Sequence, residues 1–139
     1  MTVSLTVPGG RADADDLVLL TWCAPWLVAV PVSAVRRIVE APTAADGVQH
    51  DLASVLGLPA GGTGGSWLLI DCRPGLALRV DRCLQLVRSG TLRQVPPAMQ
   101  RRDLDLAAFA PPATIAGLTQ VPPVGLWLDP RQVPAEFRR

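Results

Sequence analysis

The sequence has no lysine, no tyrosine and no asparagine, and a single histidine, His50. Each absence removes chemistry. Without lysine there is no Walker A phosphate loop, no pyridoxal Schiff base and no lysine-dependent aldolase. One histidine cannot build a two-histidine metal site. Charge is also sparse, at 18% of residues, and 13 arginines nearly balance 12 acids for a net charge of +1. Nucleic-acid binding needs a basic stripe for the phosphates, so no nucleic-acid partner is expected. Cys23, Cys72 and Cys83 are odd in number and lack C-x-x-C spacing. That pattern predicts reduced, buried thiols rather than a disulfide framework. The surplus of Ala, Arg, Gly and Pro reads as codon pressure from a GC-rich genome.

What is present is apolar. Hydrophobic residues make up 49% of 139, a length in the range of about 100–200 residues for one domain. A chain of this size forms a core without staples. Met1–Asp16 has no cationic start followed by an apolar run, so it does not read as a signal peptide. The apolar stretches are too short and interrupted to cross a bilayer. The expectation is a cytoplasmic protein without membrane insertion: a flexible arm over 1–16, a domain over 17–133 and a tail over 134–139.

Along the chain, Leu17–Cys23 and Trp26–Val32 read as a hairpin across Ala24-Pro25, with Pro31 at an edge or strand end. Ser33–Glu40 places Val35, Ile38 and Val39 at helical spacing, yet is β-branched and stops at Pro42. A helical turn at Ser33–Val35 leading into a strand is expected. Thr43–Gln49 reads as a loop, and Asp51 as the N-cap of a short helix, Leu52–Leu56, closed by Gly57. Pro59–Ser66 is a glycine-rich connector; no lysine or helix start follows it, so it is no phosphate cradle. Trp67–Arg73 and Leu76–Val80 form a hairpin about Arg73-Pro74-Gly75, and Arg82–Arg88 alternates as a strand. A helical turn is expected within Ala98–Ala108. Thr114–Thr119 and Gly125–Leu128 suggest a last hairpin, and Asp129-Pro130 starts a helix that Pro134 cuts short. Seven or eight short strands with frequent turns indicate an all-β fold of small barrels.

Little of this supports catalysis. His50 and Asp51 are neighbours, which on a strand point to opposite faces. A thiol-dependent hydrolase or transferase would need His50 to meet Cys72 or Cys83 in space, but all three cysteines lie in or beside apolar segments, where thiolates are disfavoured. The four tryptophans read as packing residues, with Trp26 beside its proline turn as a possible surface anchor. Val35, Ile38 and Val39 suit either a core or an apolar groove rimmed by Arg36 and Arg37.

Four motifs in order resemble one family. Val28-Ala29-Val30-Pro31-Val32 with Val35, Ile38, Val39 and Pro42 is similar to the opening of CheW-type chemotaxis coupling proteins. Asp51-Leu52 with Leu56-Gly57-Leu58 resembles the family's D-L-x-x-x-L-G element. Gly75 to Leu84 resembles its G-L-x-V-D-x-V strand pair. Ile115-Ala116-Gly117-Leu118 with Leu126-Trp127-Leu128-Asp129-Pro130 resembles its closing segment. The resemblance implies two SH3-like small barrels and an adaptor without catalysis or cofactor. Such an adaptor joins the cytoplasmic tip of methyl-accepting receptors to a histidine kinase bearing a similar regulatory domain, or to other CheW-like proteins. By position, the receptor groove falls on Val35, Ile38 and Val39, with Leu84 and Leu86 opposite and Arg36 and Arg37 at the rim. One departure matters: only Thr43–His50 separates Pro42 from Asp51, where the family carries a further turn and two strands. One barrel is therefore expected to be incomplete, with unpaired edges, and kinase contact reduced or absent. The shortening resembles the accessory CheW-like protein of frizzy-type gliding-reversal systems. A general β-barrel interaction module is the remaining reading.

Overall fold

The computed structural model describes residues 17–58, 64–88, 90–95, 104 and 106–138. The expected arm over 1–16 lies outside them, as do most of the glycine-rich connector and residues 96–103. Ten strands and one short helix follow in order: β1 (Leu17–Cys23), β2 (Trp26–Pro31), β3 (Val35–Val39), β4 (Val48–Asp51), α1 (Leu52–Val55), β5 (Ser66–Ile70), β6 (Leu76–Val80), β7 (Arg82–Arg88), β8 (Arg93–Gln94), β9 (Leu106–Phe109) and β10 (Gly125–Leu128). They form a six-stranded sheet, β7-β1-β2-β10-β9-β8, and a four-stranded sheet, β3-β5-β6-β4. The all-β expectation holds.

Two of the three expected hairpins are present, β1 with β2 and β5 with β6, each antiparallel. Pro31 ends β2, where its missing N–H costs the ladder nothing. The expected helical turn before β3 is present as a 3-10 helix over Val32–Ala34, one residue earlier than the expected Ser33–Val35.

Alternation along the strands divides the six-stranded sheet between two cores. Leu19, Cys23, Val28, Val30, Leu126 and Leu128 face the smaller sheet and pack with its Leu68, Ile70, Leu76, Leu78 and Val80. Val18, Leu20, Leu27, Ala29 and Phe109 face away and enclose Ile115 in a second core.

Two sequence expectations are corrected. Thr114–Thr119 is not a strand: Gly117 sits at φ +91°, and the Leu118 N–H donates to the Ile115 carbonyl at 3.1 Å, closing a turn. β10 instead pairs antiparallel with β9 and parallel with β2. That β9 strand, Leu106–Phe109, forms because its alternating side chains fill one core or the other; the helical turn expected within Ala98–Ala108 falls mostly outside the described residues. Finally, Thr43–Gln49 is not simply a loop. Thr43 and Asp46 close a capping box around a 3-10 turn over Ala44–Asp46, and β4 starts at Val48, parallel to β6.

That compact connection depends on close backbone approach. Gly47 lies at φ +112°, and a Cβ there would fall onto the backbone of Gly75. The Val48 N–H donates to the Gly75 carbonyl at 3.1 Å, so the two segments cannot separate without losing the start of the β4–β6 ladder. Gly47→Ala is expected to cost at least about 2 kcal/mol, combining left-handed strain with backbone overlap. Urea denaturation measures it; a loss below about 0.5 kcal/mol, the scale of ordinary surface substitutions, would show that the connection relaxes freely.

Candidate partner-binding groove

The spacing of Val35 and Ile38 looks helical, but a bulge makes it a strand pattern. In the β3–β5 ladder Val35 opposes Ile70 and Ile38 opposes Leu68, with the register shifting between Val35 and Arg37. Directly opposed residues share a face, and Leu68 and Ile70 belong to the core between the sheets. The extra residue, Arg36, therefore puts Val35 and Ile38 on the same inter-sheet face although they are three apart. Val35 packs against the core there, whereas Ile38 remains 48% exposed. Val39 opposes Trp67 on the other face, and Arg36 and Arg37 are exposed.

A second bulge sorts β7 in the same way. Leu86 opposes Leu19, whose side chain lies in the inter-sheet core, so Leu86 also faces the smaller sheet, 57% exposed. The register then shifts between Leu20 and Thr21, leaving Leu84 without an opposed partner, and Leu84 packs against the second core. Of the five apolar positions expected to form a groove, Ile38 and Leu86 thus combine exposure with an inter-sheet orientation. They stand on β3 and β7, each an end strand of its sheet. Sequence alone could not separate Leu84 from Leu86, because strict alternation puts them on one face.

The four tryptophans are half-buried. Trp26 packs against the first core, Trp22 and Trp127 against the second.

The groups that would serve a thiol enzyme are poorly arranged for it. Burial, then the charge of Asp81, pushes the Cys23 thiol up to about 12, and burial also raises that of Cys83. Both shifts favour the unreactive thiol over the thiolate nucleophile. Cys72 donates to the Pro74 carbonyl at 3.4 Å. His50 Nε2 is buried with no hydrogen-bond partner, thiols included, and its ring meets Phe137 edge-on at 5.4 Å between centroids. Among the described residues no group of three or more His, Cys, Asp or Glu side chains gathers as metal ligands. No helix among them is long and apolar enough to cross a membrane.

No protein-family model matches the sequence, and no curated protein matches it. The fold does match a solved structure. The scaffolding protein CheW of Thermoanaerobacter tengcongensis superposes with a TM-score of 0.59 over 88% of this chain and 89% of its own, at 10% sequence identity. The chain therefore has a CheW-like fold, and the likeness spans nearly the whole of both proteins.

Proposed function

We propose that this chain is a chemosensory adaptor that binds the cytoplasmic tip of methyl-accepting receptors between its two sheets. The observation that carries the reading is the placement of Ile38 and Leu86. Two large apolar side chains face the inter-sheet space from end strands and stay open to water, which marks a surface that a partner covers. Arg36, Arg37 and Arg88 are exposed on the same two strands and supply a cationic rim. The fold supports an adaptor role, and the raised Cys83 thiol together with a His50 Nε2 that meets no thiol speaks against the hydrolase alternative. The short Thr43–Gly47 connection leaves a four-stranded smaller sheet, the ground for proposing reduced or absent kinase contact.

Calorimetric titration against a receptor tip, and in parallel against the kinase's CheW-like regulatory domain, tests the proposal. Receptor binding with little or no kinase binding is expected. Ile38→Asp and Leu86→Asp should each weaken receptor binding about 10- to 100-fold, the scale of losing a central apolar contact. Because both residues are already half exposed, neither variant should shift the thermal midpoint appreciably. If Ile38→Asp unfolds the protein, the residue is core and the groove is elsewhere. Equal binding to both partners would make the protein an ordinary coupler, and binding to neither would remove the adaptor reading.

A further inference from the structure

We infer that Gln85 is a positioning residue of the proposed groove: its grip on the Ile115–Leu118 turn holds β7 in a bulged register, and only that register aims Leu86 between the sheets. The consequence for binding rests on the receptor reading above, whereas the register concerns this chain alone. In the observed register Arg82 and Cys83 oppose Trp22 and Thr21, Leu84 is skipped, and Gln85, Leu86 and Val87 oppose Leu20, Leu19 and Val18. Without the bulge, the same start would set Leu84 against Leu20, Gln85 against Leu19 and Leu86 against Val18. A slip of one residue moves a strand's side chains to the opposite faces. Leu86 would then join Leu20 and Val18 on the second core, and Gln85 would take its place on the inter-sheet face.

Apolar patterning favours the register that β7 does not adopt. There Leu84 and Leu86 share one face, the regular alternation of a half-buried strand. Leu86, 57% exposed in the bulged register, would be withdrawn from water, a favourable transfer. The opposing cost is Val87, which packs against the second core in the bulged register and would turn the other way. Exchanging a valine for a leucine in that core does not explain the bulge, so something else selects it.

The selector is the turn seated on the skipped residue. Ile115 is 3% exposed in the second core and Leu118 packs beside it. Gly117 lies so close to β7 that a Cβ there would stand 3.5 Å from Leu84 Cδ2 and 3.3 Å from Arg82 Nη1. The strand grips this turn on both sides of the bulge. Arg82 Nη2 donates to the Gly117 carbonyl at 2.6 Å, and Gln85 Oε1 accepts from the Ala116 N–H at 3.2 Å. Arg82 precedes the bulge and opposes Trp22 in either register, so its bond does not choose between them. Gln85 follows the bulge. In the regular register it faces the smaller sheet, away from Ala116, and the bond is lost.

Cross-strand nuclear Overhauser contacts on the intact chain, without any partner, read the register directly in the parent, in Gln85→Ala and in Gln85→Glu. Alanine removes the acceptor, whereas the glutamate carboxylate retains one. The parent and Gln85→Glu are expected to show Leu86 opposite Leu19. Gln85→Ala is expected to show Leu86 opposite Val18, with the Leu86 methyls withdrawn from a soluble paramagnetic probe. If about nine-tenths of that variant occupies the regular register, its affinity for a receptor tip falls about tenfold and returns in Gln85→Glu. Leu86 opposite Leu19 in all three proteins would overturn the inference. So would a slip in both variants, which removes the hydrogen bond as the cause, or loss of the folded spectrum in Gln85→Ala, which makes Gln85 a residue of general stability. A parent that binds no receptor while the register moves as expected would remove the receptor reading and support this one.

Discussion

Replacing Arg79 with methionine is expected to destabilise the protein by about 3–5 kcal/mol, the cost of stranding partners of a buried charge. Arg79 lies on β6 and is 7% exposed. Its Nε donates to Asp51 Oδ1 at 2.5 Å, its Nη2 to Asp81 Oδ1 at 3.1 Å and its Nη1 to the Gly64 carbonyl at 2.9 Å. Burial alone would lower the guanidinium's pKa, but hydrogen bonding and charge from Asp51, then Asp81, raise it overall, so it stays protonated. The Asp51 and Asp81 side chains keep 27% and 32% of their exposure, and water softens their loss of a partner. The lower end of the range is therefore expected.

The effect is large because one side chain ties three connections together. Asp51 occupies the N-cap position of α1 but makes no capping bond with its side chain; its carboxylate turns to Arg79. Asp81 accepts from the Ala24 N–H at 2.8 Å, fixing the β1–β2 turn to the end of β6. Gly64 brings in the chain just before β5. If stranded carboxylates dominate, Asp51→Asn and Asp81→Asn added to Arg79→Met should restore most of the loss in urea denaturation. A triple variant as unstable as the single one would assign the loss to the packed arginine stem instead.

The same region shows why some elements were legible and others were not. β1–β2 and β5–β6 announce themselves because a proline or glycine turn joins two apolar runs that pair with each other. The strands β4 and β9 do not. Val48–Asp51 is short, half polar and paired in parallel with β6, a partner that lies across two intervening elements. Leu106–Phe109 holds two alanines, weak strand formers, and completes a ladder only with the distant β8 and β10. Local pattern reports hairpins, whereas parallel and long-range pairing is fixed by which face the core requires. The candidate groove was half legible for a related reason. The apolar residues were identifiable, but bulges at Arg36 and Leu84 decide which of them share a face, and an alternating pattern gives no sign of the extra residue.

The stability of the protein is expected to fall steeply with alkali, and Cys23 sets the slope. With no lysine and no tyrosine in the sequence, the side chains that titrate between about pH 8 and 12 are the three thiols. The Cys23 thiol is pushed up from 9.0 to about 12, first by burial and then by Asp81. A raised value means the folded state holds the proton more tightly than the unfolded chain. The contribution of Cys23 is therefore fully present below the unfolded value, and it is lost as pH rises through the window between the two. Linkage gives a loss of about 1.4 kcal/mol per pH unit there, roughly 4 kcal/mol across the window. Cys83, also raised by burial, adds to the loss in the same direction. Arg79 stays charged throughout and leaves the slope unchanged. Cys23→Ala removes one thiol at the cost of a small cavity near neutral pH, and its stability should decline with pH by about 1.4 kcal/mol per unit less than that of the parent. Urea midpoints from pH 7 to 10.5 measure the difference. Parallel profiles for the two proteins would show that Cys23 ionises in the folded state as readily as in the unfolded one, and that the face of β1 it occupies admits water.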